Sequence, residues 1–318
     1  MIDFMGKKKI YFTISIAIIA ISLIYSFIFG VKLDIQFKGG AMINYSYSGD
    51  INTSDVEGVV QKATGEDVSV QKTQGNINKL VVSLPKSLSI DSQQKMTDEI
   101  IKAFPSNNIA LLDSSNVNAS MGNEFFAKCM VAIVLASLLI IIYVGIRFRK
   151  IGGISAGAMG VVALFHDAFM VFAAFTFFQF PINDNFIAVV LTILGFSIND
   201  TIVIYDRIRE NEKIYGNKKE LAEIVNLSIN QSLTRSINTS GCGLLVMIVT
   251  CIVAYVNGVT SILTFALPMI IGMISGVYST ICIAGPLWVV WKNYRAKKLS
   301  KTTGGSKPSS SSIGKIKI

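Results

Sequence analysis

An acidic residue lies in the middle of a long apolar stretch of this sequence, TILGFSINDTIVIYDRIREN, residues 192–211. Asp200 follows Asn199 there, and the apolar run ends only at Asp206 and Arg207. A charged side chain at the centre of a lipid bilayer costs roughly 3 to more than 10 kcal/mol, so an acid at that depth usually marks an ion or proton pathway. We predict that Asp200, with Asn199 beside it, takes part in proton transfer, and that Asp206 and Arg207 stabilise the helix end.

A second acid follows the only histidine of the chain, in the apolar segment ALFHDAF. A histidine near a carboxylate is the usual proton acceptor at physiological pH. His166 and Asp167 are therefore further candidates for proton transfer. An inert hydrogen-bonded pair between helices is an alternative explanation of the same two residues.

A third polar group lies in the segment LTRSINTSGCG, on one face of a predicted helix. Arg235, Asn238, Thr239 and Cys242 occupy the i, i+3, i+4 and i+7 positions of that face. Arg235 lies near the inner boundary of its apolar segment, from which its long side chain can reach inward. We predict that it pairs with Asp200. Alternatively, Arg235 extends its charged end to the membrane surface.

Helical geometry divides the residues around Asp200 into two faces. At about 100° per residue, the polar and small residues fall on one arc roughly 140° wide. We predict that this arc faces other helices and that the opposite, apolar face contacts lipid. The polar arc is formed by Thr192, Gly195, Asn199, Asp200, Asp206 and Arg207, and the apolar face by Leu191, Leu194, Ile198, Ile202 and Tyr205.

The composition requires a membrane setting for these residues. The 318 residues are 51% hydrophobic and 15% charged, with a mean hydropathy of +0.54, which excludes an ordinary soluble domain. The formal charge of +9 would suit nucleic acid, but a membrane protein with basic cytoplasmic edges fits the hydropathy better. Since about 20 apolar residues of helix cross a bilayer, we predict six transmembrane helices, approximately Ile10–Gly30, Phe125–Ile146, Ile154–Phe178, Phe186–Tyr205, Ser236–Val256 and Ile262–Trp291.

Lysine and arginine set the predicted orientation. They cluster after the second, fourth and sixth apolar segments, and the short loops FPINDN and NGVTS contain none. The positive-inside rule then predicts both termini in the cytoplasm and residues 31–122 on the opposite side of the membrane. In this division residues 1–30 hold the N-terminus and first helix, and residues 123–291 hold helices two to six. The basic, Ser/Gly-rich tail, residues 292–318, is predicted to be disordered.

Residues 31–122 are predicted to form a small α+β domain with the element order βαββαβ of ferredoxin-like folds. The first helix has Asn52 or Ser54 as candidate N-cap, and the second has Ser89 or Asp91. The segment QGNIN, residues 74–78, is predicted to be a hairpin turn between two alternating strands. The domain shows neither a metal-ligand cluster nor a nucleophile with a base, so we interpret it as a docking domain.

Small residues in the apolar segments are interpreted as packing devices. Gly153-x-x-x-Gly157 and Gly272-x-x-x-Gly276 allow close approach of helices. The cysteines, which show no C-x-x-C spacing, are interpreted as small packing residues: Cys129, Cys242, Cys251 and Cys282.

Neither a nucleotide-binding P-loop nor a zinc-protease or serine-hydrolase motif is found in the sequence. We therefore predict that the chain is not an enzyme and holds no cofactor or metal. Any mechanical work must draw on another energy source, and an ion gradient acting through the buried acids is the simplest candidate.

Several ordered motifs resemble those of the SecD/SecF family, the membrane components of bacterial Sec protein export within the RND superfamily. GFSINDTIVIYDRIREN, residues 195–211, is similar to the family's GYSINDTVVVFDRIREN. LDIQFKGGAMI, LFHD and LTRSINTS resemble the family segments near the first, third and fifth helices. VNASMGNEF departs from the family pattern, because the Gly–Pro turn before the second helix is missing.

The resemblance implies a six-helix RND-type half that pairs with SecD to make a twelve-helix unit. It implies use of the proton-motive force to assist late export of preproteins through the SecYEG channel, after the SecA ATPase has acted. Asp200, Arg235 and Thr239 match family positions linked to proton conduction. Two alternatives stay open: half of an RND-type lipid or drug exporter, and a structural scaffold whose buried polar groups only pack helices.

Overall fold

The computed structural model describes residues 1–73, 78–117, 119–216, 218–257 and 259–302 and shows a helical bundle joined to a small α+β domain. Within these residues, six helices are long and apolar enough to cross a membrane, as the sequence predicts. The first five are α1 (Lys8–Phe29), α5 (Ala119–Arg147), α6 (Gly153–Phe177), α7 (Asp184–Tyr215) and α8 (Leu221–Val256). The sixth comprises α9 (Thr260–Ser279), a π-helical turn (Thr280–Ala284) and α10 (Gly285–Thr302).

Two of these helices extend well beyond the predicted apolar spans. α7 continues past Tyr205 to Tyr215, and α8 begins at Leu221 rather than Ser236. Hydropathy marks only the part of a helix that lies in hydrocarbon. The additional turns are polar enough to project beyond it, and they pack against each other as an extension of the bundle.

Glycines bring the central helices close together, as their spacing predicts. A Cβ at Gly157 would lie 3.2 Å from the Ile141 carbonyl oxygen of α5. On α9, a Cβ at Gly272 would lie 2.7 Å from Ile193 of α7, and one at Gly276 would lie 3.2 Å from Ser197. Only glycine permits the α7–α9 approach at this distance, so Ser197 and α9 are neighbours.

The end of the chain differs from its predicted form. α10 is helical through Thr302, so the prediction of disorder from residue 292 is wrong for the segment 292–302. The helix continues there because Ala, Lys, Arg and Leu are good helix formers in a charged, water-facing segment. The rest of the predicted tail, residues 303–318, lies outside the described residues.

The α+β domain has the predicted βαββαβ order. Its elements are β1 (Gly40–Ser46), α3 (Thr53–Thr64), β2 (Ser69–Thr73), β3 (Lys79–Leu84), α4 (Ile90–Ala103) and β4 (Ala110–Val117). The strands form one antiparallel sheet in the order β2-β3-β1-β4, the arrangement of ferredoxin-like folds. Tyr45, Val56, Leu80 and Ile100 lie in the core between this sheet and the two helices.

Both helices of the domain begin at predicted caps. Asn52 Oδ1 accepts a hydrogen bond from the Ser54 backbone N–H at 3.2 Å. Ser89 Oγ accepts one from the Ser92 N–H at 3.3 Å. These bonds satisfy backbone donors that the first turn of a helix leaves free. The predicted hairpin turn falls on residues 74–77, outside the described residues.

A short junction connects the α+β domain to the bundle. Leu33 pairs as an isolated parallel bridge with Ile182, in the loop between α6 and α7. The Ile182 N–H donates to the Lys32 carbonyl at 2.8 Å. Beyond it, the short helix α2 (Ile35–Lys38) places Phe37 against Phe125 of α5, with ring centroids 5.6 Å apart. The domain therefore contacts the loop between α6, which carries Asp167, and α7, which carries Asp200.

Candidate functional site in the membrane bundle

The orientation of α7 decides which of its side chains meet the rest of the chain. Leu194 and Tyr205 are 4% and 1% exposed, and the Tyr205 hydroxyl donates to the Ala156 carbonyl of α6 at 3.0 Å. Thr192, Gly195 and Asn199 are exposed on the surface of this chain. The prediction that the apolar face of α7 contacts lipid is therefore wrong. Hydropathy cannot distinguish lipid from the interior of a membrane bundle, because both are apolar.

Asp167 of α6 is fully buried and holds three helices together. Its Oδ2 accepts hydrogen bonds from the hydroxyls of Ser197 on α7 and Ser279 on α9, at 2.8 and 2.7 Å. Its Oδ1 accepts one from Ser275 on α9 at 2.7 Å. His166 Nδ1 lies 3.2 Å from the same oxygen. We call this set of five side chains the Asp167 cluster.

Three serine hydroxyls donate to the Asp167 carboxylate, one to Oδ1 and two to Oδ2, and His166 Nδ1 contacts Oδ1. These contacts take up most of its roughly four lone-pair positions. Bonds to a charged acceptor contribute roughly 1.5–3 kcal/mol each. The predicted His166–Asp167 contact is present, and the cluster ties α6 to α7 and α9.

Asp200 is held far more loosely, although it is only 2% exposed. Within the described part of the chain, one hydroxyl contacts its carboxylate: Ser240 of α8 donates to Oδ2 at 2.8 Å. With this one donor for its two oxygens, the Asp200 carboxylate can accept a further hydrogen bond or a proton. Asp200 lies between α7 and α8, beside the exposed face of both helices.

Polar and small side chains cover that exposed face. Arg235, Asn238, Thr239 and Cys242 of α8 are all exposed in this single chain, next to the exposed residues of α7. The predicted direct pair is not formed among the described residues, since Asp200 bonds to Ser240 instead. We call this surface the α7–α8 seam.

Asp206 and Arg207 lie where the sequence places them, at the basic end of the apolar part of α7. Asp206 Oδ1 is 3.5 Å from Arg147 of α5 and 2.6 Å from Arg209. Arg207 donates to Gln231 of α8 at 2.7 Å. These contacts fix α7 against its two neighbours.

Sequence reasoning missed the serines that contact the two acids. Ser275 and Ser279 lie one helical turn apart, as do Ser236 and Ser240. Serine is common in membrane helices as a small packing residue, so its presence alone carries little information. The i, i+4 repetition within apolar helices was the available signal.

The free cysteines are dispersed through the bundle. Cys129 and Cys282 are buried, Cys251 is half-buried and Cys242 is exposed. Within the residues that the structure describes, no group of three or more His, Cys, Asp or Glu side chains is arranged to hold a metal ion.

The fold and the site thus define a polytopic membrane protein. It has ionisable groups at membrane depth and an α+β domain outside the bundle. The model of the family "Protein export membrane protein SecD/SecF, C-terminal" matches residues 96–294. SecF of Sebaldella termitidis is 32% identical over 94% of this chain and 95% of its own length. SecF of Thermobaculum terrenum is 34% identical over 92% of this chain and 95% of its own.

Two further similarities involve longer proteins. SecDF of Bacillus subtilis is 32% identical over 93% of this chain, which matches 39% of the SecDF length. The crystal structure of SecDF from Thermus thermophilus superposes with a TM-score of 0.78 at 27% identity, over 92% of this chain and 39% of that one. The chain belongs to the SecD/SecF family of protein export membrane proteins. An accessory role in Sec-dependent protein export follows from that membership.

Proposed function

We propose that this chain couples the proton-motive force to late preprotein translocation, in a complex with SecD at the SecYEG channel. The observation that carries the proposal is the state of Asp200. It is a carboxylate 2% exposed, at the middle of a membrane helix, with one hydroxyl donor within the described residues. A buried carboxylate with free lone pairs can accept a proton without breaking an existing hydrogen bond.

The α7–α8 seam supports SecD as the partner. Arg235, Asn199 and Thr239 would face lipid in an isolated chain, at a cost of up to several kcal/mol for the arginine. Packing of a second membrane half against the seam removes that cost. The fused SecDF proteins, of which this chain matches about two fifths, carry both halves in one polypeptide.

In this proposal the two acids have different roles. Asp200, with Arg235, Asn199 and Thr239 around it, binds and releases the proton as it faces the partner. Asp167 and His166 hold α6, α7 and α9 in register, so that a change at Asp200 moves these helices together. SecA acts before this step, and the chain needs no nucleotide of its own.

The junction supplies a route from the acids to the α+β domain. Ile182 lies between α6 and α7 and bonds directly to the segment that enters the domain. A proton that crosses 100 mV releases about 2.3 kcal/mol. That energy is enough to change the ratio of two domain positions by about 50-fold. In the orientation that the Lys and Arg pattern predicts, the domain lies on the side where preproteins emerge.

Replacement of Asp200 by Asn tests the proposal. In inverted membrane vesicles that contain the chain with SecD and the SecY channel, Asp200→Asn removes the gradient-dependent part of preprotein translocation and leaves ATP-driven translocation intact. Asp200→Glu retains a proton acceptor and keeps a measurable part. Asp91→Asn, an exposed acid in the first turn of α4, is the matched control and has no effect. Full gradient dependence in the Asp200→Asn vesicles would refute the proposal.

A further inference from the structure

The segment that precedes α1 is fastened to the surface of α8. The Ile2 N–H donates to Asn230 Oδ1 and the Phe4 N–H donates to Asn226 Oδ1, both at 2.8 Å. In return, both asparagine amides donate to the Ile2 carbonyl, Asn230 at 2.8 Å and Asn226 at 3.2 Å. A segment at the edge of a domain is usually poorly ordered unless it is tied down. We call residues 2–5 the strap.

The spacing of the two asparagines matches the backbone of the strap. Asn226 and Asn230 lie on successive turns of α8, about 6 Å apart along the helix axis. In an extended segment, the N–H groups that point to one side belong to alternate residues, about 6.6 Å apart. The asparagines therefore bind the peptide groups of Ile2 and Phe4 much as a neighbouring strand would.

Two apolar side chains anchor the strap beside these bonds. Phe4 and Met5 are 6% and 7% exposed and belong to the same apolar core as Val225 and Ile229 of α8. The Phe4 ring also lies beside Tyr11 of α1, with ring centroids 6.4 Å apart. The strap thus contacts α8 through its backbone and the bundle core through its side chains.

A tight turn joins the strap to α1. Asp3 Oδ1 accepts a hydrogen bond from the Gly6 N–H at 2.7 Å, and α1 begins at Lys8. A Cβ at Gly6 would collide with the Asp3 carboxylate, so the turn has no room for a side chain. There is therefore little slack between the strap and α1.

Helix α1 leads from the strap to the α+β domain. Its 22 residues span about 33 Å, enough to cross a bilayer core of about 30 Å. Ile16 and Phe27 are 67% and 92% exposed, so α1 lies at the edge of the bundle. Just beyond its far end, Lys32 bonds to Ile182 at the junction with the domain.

Helix α8 connects the strap to the acid of the proposed proton site. Ser240 of α8 contacts Asp200, and Asn230 lies on the same continuous helix, about 15 Å away along its axis. We infer that the strap and α1 form a mechanical link that carries movement of α8 to the α+β domain, in addition to the junction with α6 and α7. This inference rests on the proposed function, because it gives α8 its own connection to the domain.

Release of the strap is the first test. The double variant Asn226→Ala/Asn230→Ala removes all four bonds to the strap backbone and leaves α8 helical, because alanine is the better helix former. In inverted vesicles that contain the full chain with SecD and the SecY channel, we expect the gradient-dependent part of translocation to be largely lost. ATP-driven translocation and copurification of SecD stay unchanged. Asn293→Ala, in an exposed asparagine of α10, is the matched control and has no effect.

The position of the strap is measured in the same vesicles. Met5→Cys is added to the native and the double-variant chains, and maleimide labelling is followed by mass spectrometry of the peptide that contains it. Loss of four hydrogen bonds lowers the ratio of bound to released strap by roughly a hundredfold. We expect labelling to accelerate by about tenfold or more. An unchanged labelling rate would show that the asparagines do not hold the strap and would overturn the inference.

A slack variant separates a mechanical role from a purely structural one. Insertion of two glycines between Gly6 and Lys7 leaves the strap and its asparagines intact but loosens the connection to α1. We expect slow labelling of Met5→Cys, as in the native chain, together with loss of gradient-dependent translocation. A strap that only stabilises the fold would keep that translocation in the slack variant.

The outcomes distinguish the link from the proton site. Full gradient dependence in the released or the slack variant, with loss of it in Asp200→Asn, would overturn the mechanical link alone. Full gradient dependence in Asp200→Asn would overturn the proposed function, and the link with it.

Discussion

Asp167 and Asp200 are both buried acids of the same bundle, yet their hydrogen-bonded surroundings differ. Three serine hydroxyls donate to Asp167, His166 Nδ1 contacts it, and it lies among three helices of its own chain. Asp200 has one hydroxyl donor in the described part of the chain and lies at the α7–α8 seam. Burial alone therefore does not distinguish an acid that stabilises the fold from one that can change its charge.

The number of donors decides how much of the fold depends on each acid. Loss of the Asp167 carboxylate would leave three serine hydroxyls buried and without their acceptor. A proton on Asp200 occupies a free lone pair. We therefore expect Asp167 to act mainly on stability and Asp200 mainly on gradient coupling, and three changes test this contrast.

Asp167→Ala should have the largest effect on stability. Removal of the carboxylate leaves Ser197, Ser275, Ser279 and His166 without their shared acceptor. We expect a loss of about 3–5 kcal/mol, typical of breaking a buried charged network, seen as a lower unfolding midpoint in detergent and reduced accumulation in the membrane. An Asp167→Ala protein with normal stability but no gradient coupling would show that Asp167 also takes part in coupling, and the contrast would fail.

Gly276→Val should have a smaller effect, because it separates α9 from α7 beside Ser197 without removing the acid. Overpacking of this kind costs about 1–3 kcal/mol, and the unfolding midpoint in detergent should fall accordingly. Gly195→Val is the matched variant, since a Cβ at Gly195 meets nothing within 4 Å. It should leave the isolated chain as stable as before and weaken copurification of SecD. Equal destabilisation by both variants would contradict the assignment of the seam to a partner.

Two serine variants give the smallest and sharpest comparison. Ser275→Ala removes one of the three serine donors of Asp167, and Ser240→Ala removes the hydroxyl that contacts Asp200. Each deletes one hydrogen bond worth about 1 kcal/mol. We expect Ser275→Ala to lower the unfolding midpoint slightly with unchanged gradient coupling, and Ser240→Ala to reduce coupling with little change in stability. The reverse pattern would exchange the roles of the two acids.

The local features were predictable because they depend on neighbouring residues only. Hydropathy over about 20 residues located the six spans, and the caps at Asn52 and Ser89 followed from side chains that bond to nearby backbone. Period-2 strands with amphipathic helices between them were enough for the βαββαβ order. The glycine pairs also indicated close helix contacts, although not which helices meet.

The face of α7 was not predictable from the same information. The sequence places polar residues on one side and apolar residues on the other, and we expected the apolar side to meet lipid. In the structure that side includes Leu194 and Tyr205 in the core, while Thr192 and Asn199 lie on the surface. A surface that a second subunit covers has the same composition as a polar interior, so the pattern alone cannot separate them.

By itself, the sequence determined that two acids lie at membrane depth. Each carboxylate lies within an apolar segment long enough to cross a bilayer, so it enters the membrane with that segment. Only the tertiary structure decided how many hydrogen-bond donors meet each of them. The reason is that hydrogen-bond partners such as Ser197, Ser240 and Ser279 come from other helices, far away along the chain. Their distances to each acid depend on how the helices pack, which no local pattern records.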